Sequence, residues 1–107
     1  MLTKPDFYID GQWCAPAKAE LFEVINPAEE QPFGAISLGA GEDVDRAVAS
    51  ARRAFEDWGR TALDYRLELV QKLRGIYEAR IDEMAEAISK EMGAPISLAR
   101  DAQAMAG

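Results

Sequence analysis

From Asp64 to Gly93 the apolar residues recur in steps of three and four, at Leu67, Val70, Leu73, Tyr77, Ile81, Met84, Ile88 and Met92. Side chains three and four apart share a helical face, so this spacing lays one continuous apolar stripe along a helix. Asp64 is placed to cap its start with a carboxylate that accepts a free first-turn N–H. Gly93 offers a left-handed closing residue, and Pro95 follows as a stop. Glu68 with Lys72, and Glu86 with Lys90, are i,i+4 pairs of favourable polarity. Gly75 weakens the helix by about 1 kcal/mol relative to alanine. The run from Ala79 to Glu83 offers a break, with acids opening a second helix at its positive dipole end. The spacing therefore predicts one long helix or two short collinear ones, with no catalytic group evident on it.

Before it, Phe7-Tyr8-Ile9, Asp10-Gly11 and Gln12-Trp13 spell a short hairpin, because Asp-Gly suits the two positive-φ positions of a type I′ turn. Leu21–Ile25 is β-branched and aromatic enough for a strand. Asn26-Pro27 ends it, Ala28 to Pro32 reads as an acidic turn, and Phe33–Leu38 is a third extended run. These pieces predict a small antiparallel meander. A helix follows from Glu42 to Trp58, with Val44, Ala47, Val48, Ala51, Ala54 and Phe55 on one face, and Gly59 ends it. A further helix is expected from Pro95 onward.

The composition narrows the function. With 107 residues the chain forms one small domain at most, or a piece of a larger one. A net charge of −7 opposes a phosphate-binding surface, so nucleic acid is not expected as a partner. The chain has one cysteine and no histidine, which excludes an internal disulfide and any Ser-His-Asp, Cys-His or HExxH site of its own. No apolar run reaches the roughly 20 residues of a membrane span, and the start lacks the apolar core of a signal peptide. A soluble, cytoplasmic protein without a membrane partner is expected.

Four features invite a chemical reading and yield a structural one. Gly39-Ala40-Gly41-Glu42-Asp43-Val44 sits between a strand and a helix like a dinucleotide-binding turn, but Val44 replaces the third glycine. Glu42 and Asp43 would also place negative charge where a pyrophosphate must sit, whereas they suit the positive end of the helix dipole. Cys14 has no neighbouring base to form a thiolate and reads as a strand-end thiol. Asp82, Glu83 and Glu86 read as dipole partners and solvated surface rather than an acid–base pair. Tyr77, Met84 and Met92 lie on the core stripe and read as packing rather than as a ligand pocket.

Taken in order, FYIDGQW, EVINPA, GEDVDRAVASARRAFEDW and RLELVQKLRGIYEARIDEMAEAISKEMGAP resemble the opening of the aldehyde dehydrogenase superfamily. The resemblance spans nearly all of the chain. It implies an α/β parent that oxidises an aldehyde to a carboxylic acid. The parent would form a cysteine thiohemiacetal and thioester, use NAD or NADP, and be homo-oligomeric. It further implies that the catalytic and nucleotide-binding residues lie outside the matched part, so no catalytic or cofactor-binding residue is assigned and the chain alone is expected to be inactive.

On this resemblance the chain is the N-terminal part of the NAD(P)-binding domain. Residues 1–39 would form a β-rich lead-in, 42–58 the first helix, 64–92 the long or broken helix and 95–107 the start of a helix that continues. The resemblance also implies a structural Na⁺ or K⁺ site, held by the carbonyl of Ile25 before Asn-Pro and by Glu91 two residues before the closing glycine. Glu91 is one methylene longer than the family's usual Asp, and the competing reading makes it a solvated last-turn acid, which the helix dipole disfavours. The alternative is a self-standing helical interaction or regulatory module without catalysis.

Overall fold

The computed structural model describes residues 2–106, and its contacts divide these into two units. One unit holds the residues up to Val24 together with Pro32–Thr61; the other holds Ile25–Gln31 and the residues from Ala62 onward.

The β-rich lead-in, most of it in the first unit, forms two sheets rather than a single meander. β2 (Phe7–Ile9) and β3 (Gln12–Cys14) make the expected hairpin, antiparallel with Phe7 opposite Cys14 and Ile9 opposite Gln12. Asp10 and Gly11 both take positive φ, 57° and 76°, as a type I′ turn requires. The other sheet has the order β1 (Leu2–Lys4), β5 (Gln31–Ser37), β4 (Leu21–Asn26). β1 runs parallel to β5 and pairs Leu2 with Gly34. The strands come this close because Gly34 has no side chain: a Cβ there would stand 2.8 Å from the Leu2 carbonyl oxygen. A three-residue strand paired with a segment thirty-two residues away leaves no local periodicity to read.

α1 (Gly41–Trp58) follows, and its buried residues are Asp43 and Ser50. Most of the apolar face expected to pack lies outward instead: Val44, Val48 and Phe55 are exposed, Phe55 by 70%.

In the second unit the long stripe is divided. α2 (Leu63–Ala79) and α3 (Ile81–Met92) break at Arg80, whose φ of −117° and ψ of 15° are not helical. Its N–H donates to the Tyr77 carbonyl at 2.9 Å, tightening the end of α2, while its carbonyl accepts the Glu83 and Met84 amides of α3. The cap of α2 is Ala62 rather than Asp64, because Leu63 is already helical; Asp64 lies in the first turn, where its charge still suits the dipole. Of the expected ion pairs, Glu86–Lys90 closes at 3.9 Å. Glu68 and Lys72 form none among the described residues.

Gly93 closes α3 in the left-handed region at φ 72°. Pro95 then precedes a helical run that begins as α4 (Ile96–Leu98), widens to a π turn over Ala99–Gln103 and ends as a 3₁₀ turn over Ala104–Ala106. This run packs on α3 through Ala85, Ala99 and Ala104, with Ile81, Ile88 and Ala94 around them. Along α2 the stripe stays largely uncovered: Leu67, Val70 and Leu73 are exposed.

Candidate functional site

The two residues expected to hold a cation lie in the same unit. Ile25 is the penultimate residue of β4, and Glu91 the penultimate residue of α3. A tight turn after β4 presents the first. Ala28 N–H donates to Asn26 Oδ1 at 3.0 Å, and Glu30 N–H donates to the Asn26 carbonyl at 2.8 Å. This side-chain-supported turn is the reason Asn stands at that position.

The turn meets the end of α3 at Pro27 and Gly93. Pro27 Cγ would lie 2.9 Å from a Cβ on Gly93, so only glycine allows this approach as well as the left-handed φ. Beyond it, Ser89 Oγ donates to the Ala94 carbonyl at 2.7 Å, and Gly93 N–H donates to the Ser89 carbonyl at 2.9 Å. The carbonyls of Lys90, Glu91 and Met92 receive no backbone N–H among the described residues. A helix end with unpaired carbonyls carries partial negative charge, and Glu91 adds a full one. No cluster of three or more His, Cys, Asp or Glu side chains able to hold a metal exists among the described residues.

The glycine-rich turn before α1 is organised by Asp43. Its Oδ2 accepts the Ala40 N–H at 2.9 Å, and its Oδ1 accepts the Ala17 N–H at 2.9 Å and Arg46 Nη2 at 2.7 Å. Only 4% of Asp43 is exposed, so a carboxylate fills the space at the helix start. The two backbone amides, ahead of Arg46, hold its carboxyl below the usual carboxylate range. Asp10, in the hairpin turn, makes a second clasp. It accepts Ser50 Oγ at 2.9 Å and Arg53 Nη2 at 3.0 Å. The Ser50 hydroxyl and then Arg53 lower its pKa as well. Sequence reading saw Asp10 as a turn residue and Asp43 as a dipole partner; their long-range bonds connect residues twenty-six to forty-three positions apart.

The remaining candidates are occupied by structure. Cys14 donates its thiol to the Phe7 carbonyl at 3.4 Å across the hairpin. Asp82 pairs with Arg100, Glu83 with Arg80 and Glu86 with Lys90, so each acid of the suspected acid–base group has its own cation. Tyr77 and Met84, read as packing, wall an open groove of about 350 Å³ with Leu73, Ile76, Arg80, Glu83 and Ala87. The Tyr77 hydroxyl was not anticipated as a bonding group; it donates to the Ala104 carbonyl at 2.7 Å. Its only sequence signal is that tyrosine stands where the stripe asks merely for an apolar residue.

Among the described residues, then, the arrangement contains cappings, clasps and a carbonyl-rich helix end, and no nucleophile paired with a base. Comparison with known proteins supplies what local chemistry does not. The profile of the aldehyde dehydrogenase family matches residues 13–106. The chain belongs to the aldehyde dehydrogenase family.

A 3-succinoylsemialdehyde-pyridine dehydrogenase from a Pseudomonas species is 54% identical over 103 residues, covering 95% of this chain and 22% of the relative. The crystal structure of an aldehyde dehydrogenase from Bartonella henselae superposes with a TM-score of 0.95 at 44% identity, over 98% of this chain and 22% of that one. An aldehyde dehydrogenase from Pseudomonas syringae, solved with NAD⁺ and octanal, gives 0.91 at 43% identity, over 94% and 21%. The strands followed by helices thus form a portion of the aldehyde dehydrogenase fold. The chain spans about a fifth of the length of the curated relatives that it matches.

Proposed function

We propose that this chain serves as the opening portion of the NAD(P)-binding domain of a longer enzyme, one that oxidises an aldehyde to a carboxylic acid with NAD⁺ or NADP⁺. The observation that carries this reading is the family match over residues 13–106, together with relatives about five times as long. The exposed apolar stripes of α1 and α2 support it, because faces of this kind stabilise a protein only when something covers them. In this reading the cysteine that forms the thiohemiacetal, and the residues that hold nicotinamide, belong to the parts outside this chain. Cys14 takes no part. The enzyme is cytoplasmic and homo-oligomeric.

The test is aldehyde-dependent reduction of NAD⁺ and NADP⁺ by the intact protein purified from its source. A pyridine semialdehyde and octanal are the first substrates to try, since they appear among the relatives. Turnover by the intact protein, with none by the 107-residue chain, is the expected pattern. An intact protein that reduces neither nucleotide with any aldehyde, or a short chain that melts cooperatively as a monomer, would favour a self-standing helical module.

A second reading concerns the corner of Ile25 and Glu91. We infer that it takes a Na⁺ or K⁺ through the Ile25 carbonyl and the Glu91 carboxylate, with the unpaired carbonyls of the α3 end adding negative potential. Such an ion would neutralise a helix end and tie it to the Asn26-Pro27 turn. Replacing K⁺ by a large organic cation should lower the melting temperature of the intact protein, and Glu91→Ala should abolish that difference. An equal ion effect in the variant would refute the site.

A further inference from the structure

The helical run 96–106 contains a geometric conflict that its π turn resolves. Ala99 and Ala104 are both completely buried and both pack with Ala85 of α3. On a regular α-helix, residues five apart point about 140° away from each other, so they could not share that contact. In the π turn the Ala104 N–H donates to the Ala99 carbonyl, an i→i+5 bond that brings the two alanines to the same side. A regular α-helix would instead turn Gln103, four residues on from Ala99, toward Ala85. Gln103 is already half-buried, and its side-chain oxygen has no hydrogen-bond partner among the described residues.

The wide turn is held from two sides. Arg100 Nε donates to Asp82 Oδ1 at 2.7 Å, at the start of α3. The Tyr77 hydroxyl, from the end of α2, donates to the Ala104 carbonyl at 2.7 Å. We propose that Tyr77 is a register latch. Its hydroxyl selects the π turn over the regular helix and thereby sets which face Ala104–Ala106 present. Losing the latch lets the run tighten by one residue, rotating those residues by about 100° and shifting them by about 1.5 Å. Arg100 is the weaker of the two holds, because its ion pair is exposed and precedes the widened bond.

Two variants of the intact protein test this through amide hydrogen exchange and a crystal structure of each. Tyr77→Phe keeps the ring and removes only the latch. The Ala104 amide should then exchange about tenfold faster, the factor that one net hydrogen bond gives, and the structure should show an i→i+4 bond in place of the Ala104–Ala99 bond. Deleting the exposed Ala102 places Ala99 four residues before the buried alanine, so a regular helix satisfies the packing without a latch. In that background Tyr77→Phe should leave the register unchanged. The proposal is overturned if Tyr77→Phe retains the π turn with unchanged exchange. It is equally overturned if the deletion fails to produce a regular helix packed on Ala85. Neither readout depends on enzymatic turnover.

Discussion

The first unit is held together by polar clasps and the second by close alanine packing, and among the described residues neither buries a large apolar side chain completely. In the first, Asp43 and Asp10 gather backbone amides, a serine and two arginines around α1. In the second, Ala85, Ala99 and Ala104 let α3 and the following helical run approach closely, with one tyrosine hydroxyl fixing the register. Both leave their richest apolar faces outside: Val44, Val48 and Phe55 in one, Leu67, Val70 and Leu73 in the other. Carboxylates clasped inward with apolar stripes facing outward is the reverse of an independent small domain. It is the expected arrangement for a portion of a larger fold.

Acid should separate the two units most strongly. Asp43 and Asp10 both have folded pKa values lowered below their ordinary 3.8, so the unfolded chain takes up these protons first as pH falls. Their contribution is complete above the ordinary value and is lost as pH drops through the folded values. Amides of α1 and the hairpin should therefore lose protection in acid before those around Ala85. Simultaneous loss would mean that the clasps do not hold the first unit.

Packing should give the converse. Ala85→Leu inserts three carbons where 1% of the residue is exposed, and should destabilise the second unit by about 3 kcal/mol in chemical denaturation. Gly93→Ala meets Pro27 and a left-handed φ together and should cost about 2 kcal/mol. Gly75 faces open space, so Gly75→Ala should stabilise α2 by up to about 1 kcal/mol. The smallest effect tests the exposed stripe. Leu73→Ala should change the stability of the 107-residue chain by less than about 0.5 kcal/mol, because Leu73 is 66% exposed. If a longer parent covers Leu73, the same substitution there should cost about 2–5 kcal/mol.

How much of this was legible depended on how local its cause is. The hairpin needed only Asp10-Gly11, and the end of α3 only Gly93, so both stood in the sequence. The break at Arg80 was one of two readings, because periodicity continues across it. β1 and the Asp43–Ala17 bond were hidden, since each joins segments far apart in the chain. The apolar faces of α1 and α2 were legible as stripes, but a stripe does not say whether its cover lies in the same residues. The proposed pairing of Ile25 with Glu91 came only through the family resemblance, since a backbone carbonyl has no residue type.

The claim that these stripes belong under more of the same polypeptide is tested most directly by the subunit mass of the protein purified from its source cell. A mass several times the 11.8 kDa of this chain is expected, with the stripe residues protected from exchange. A subunit of 11.8 kDa that melts cooperatively as a monomer would contradict it.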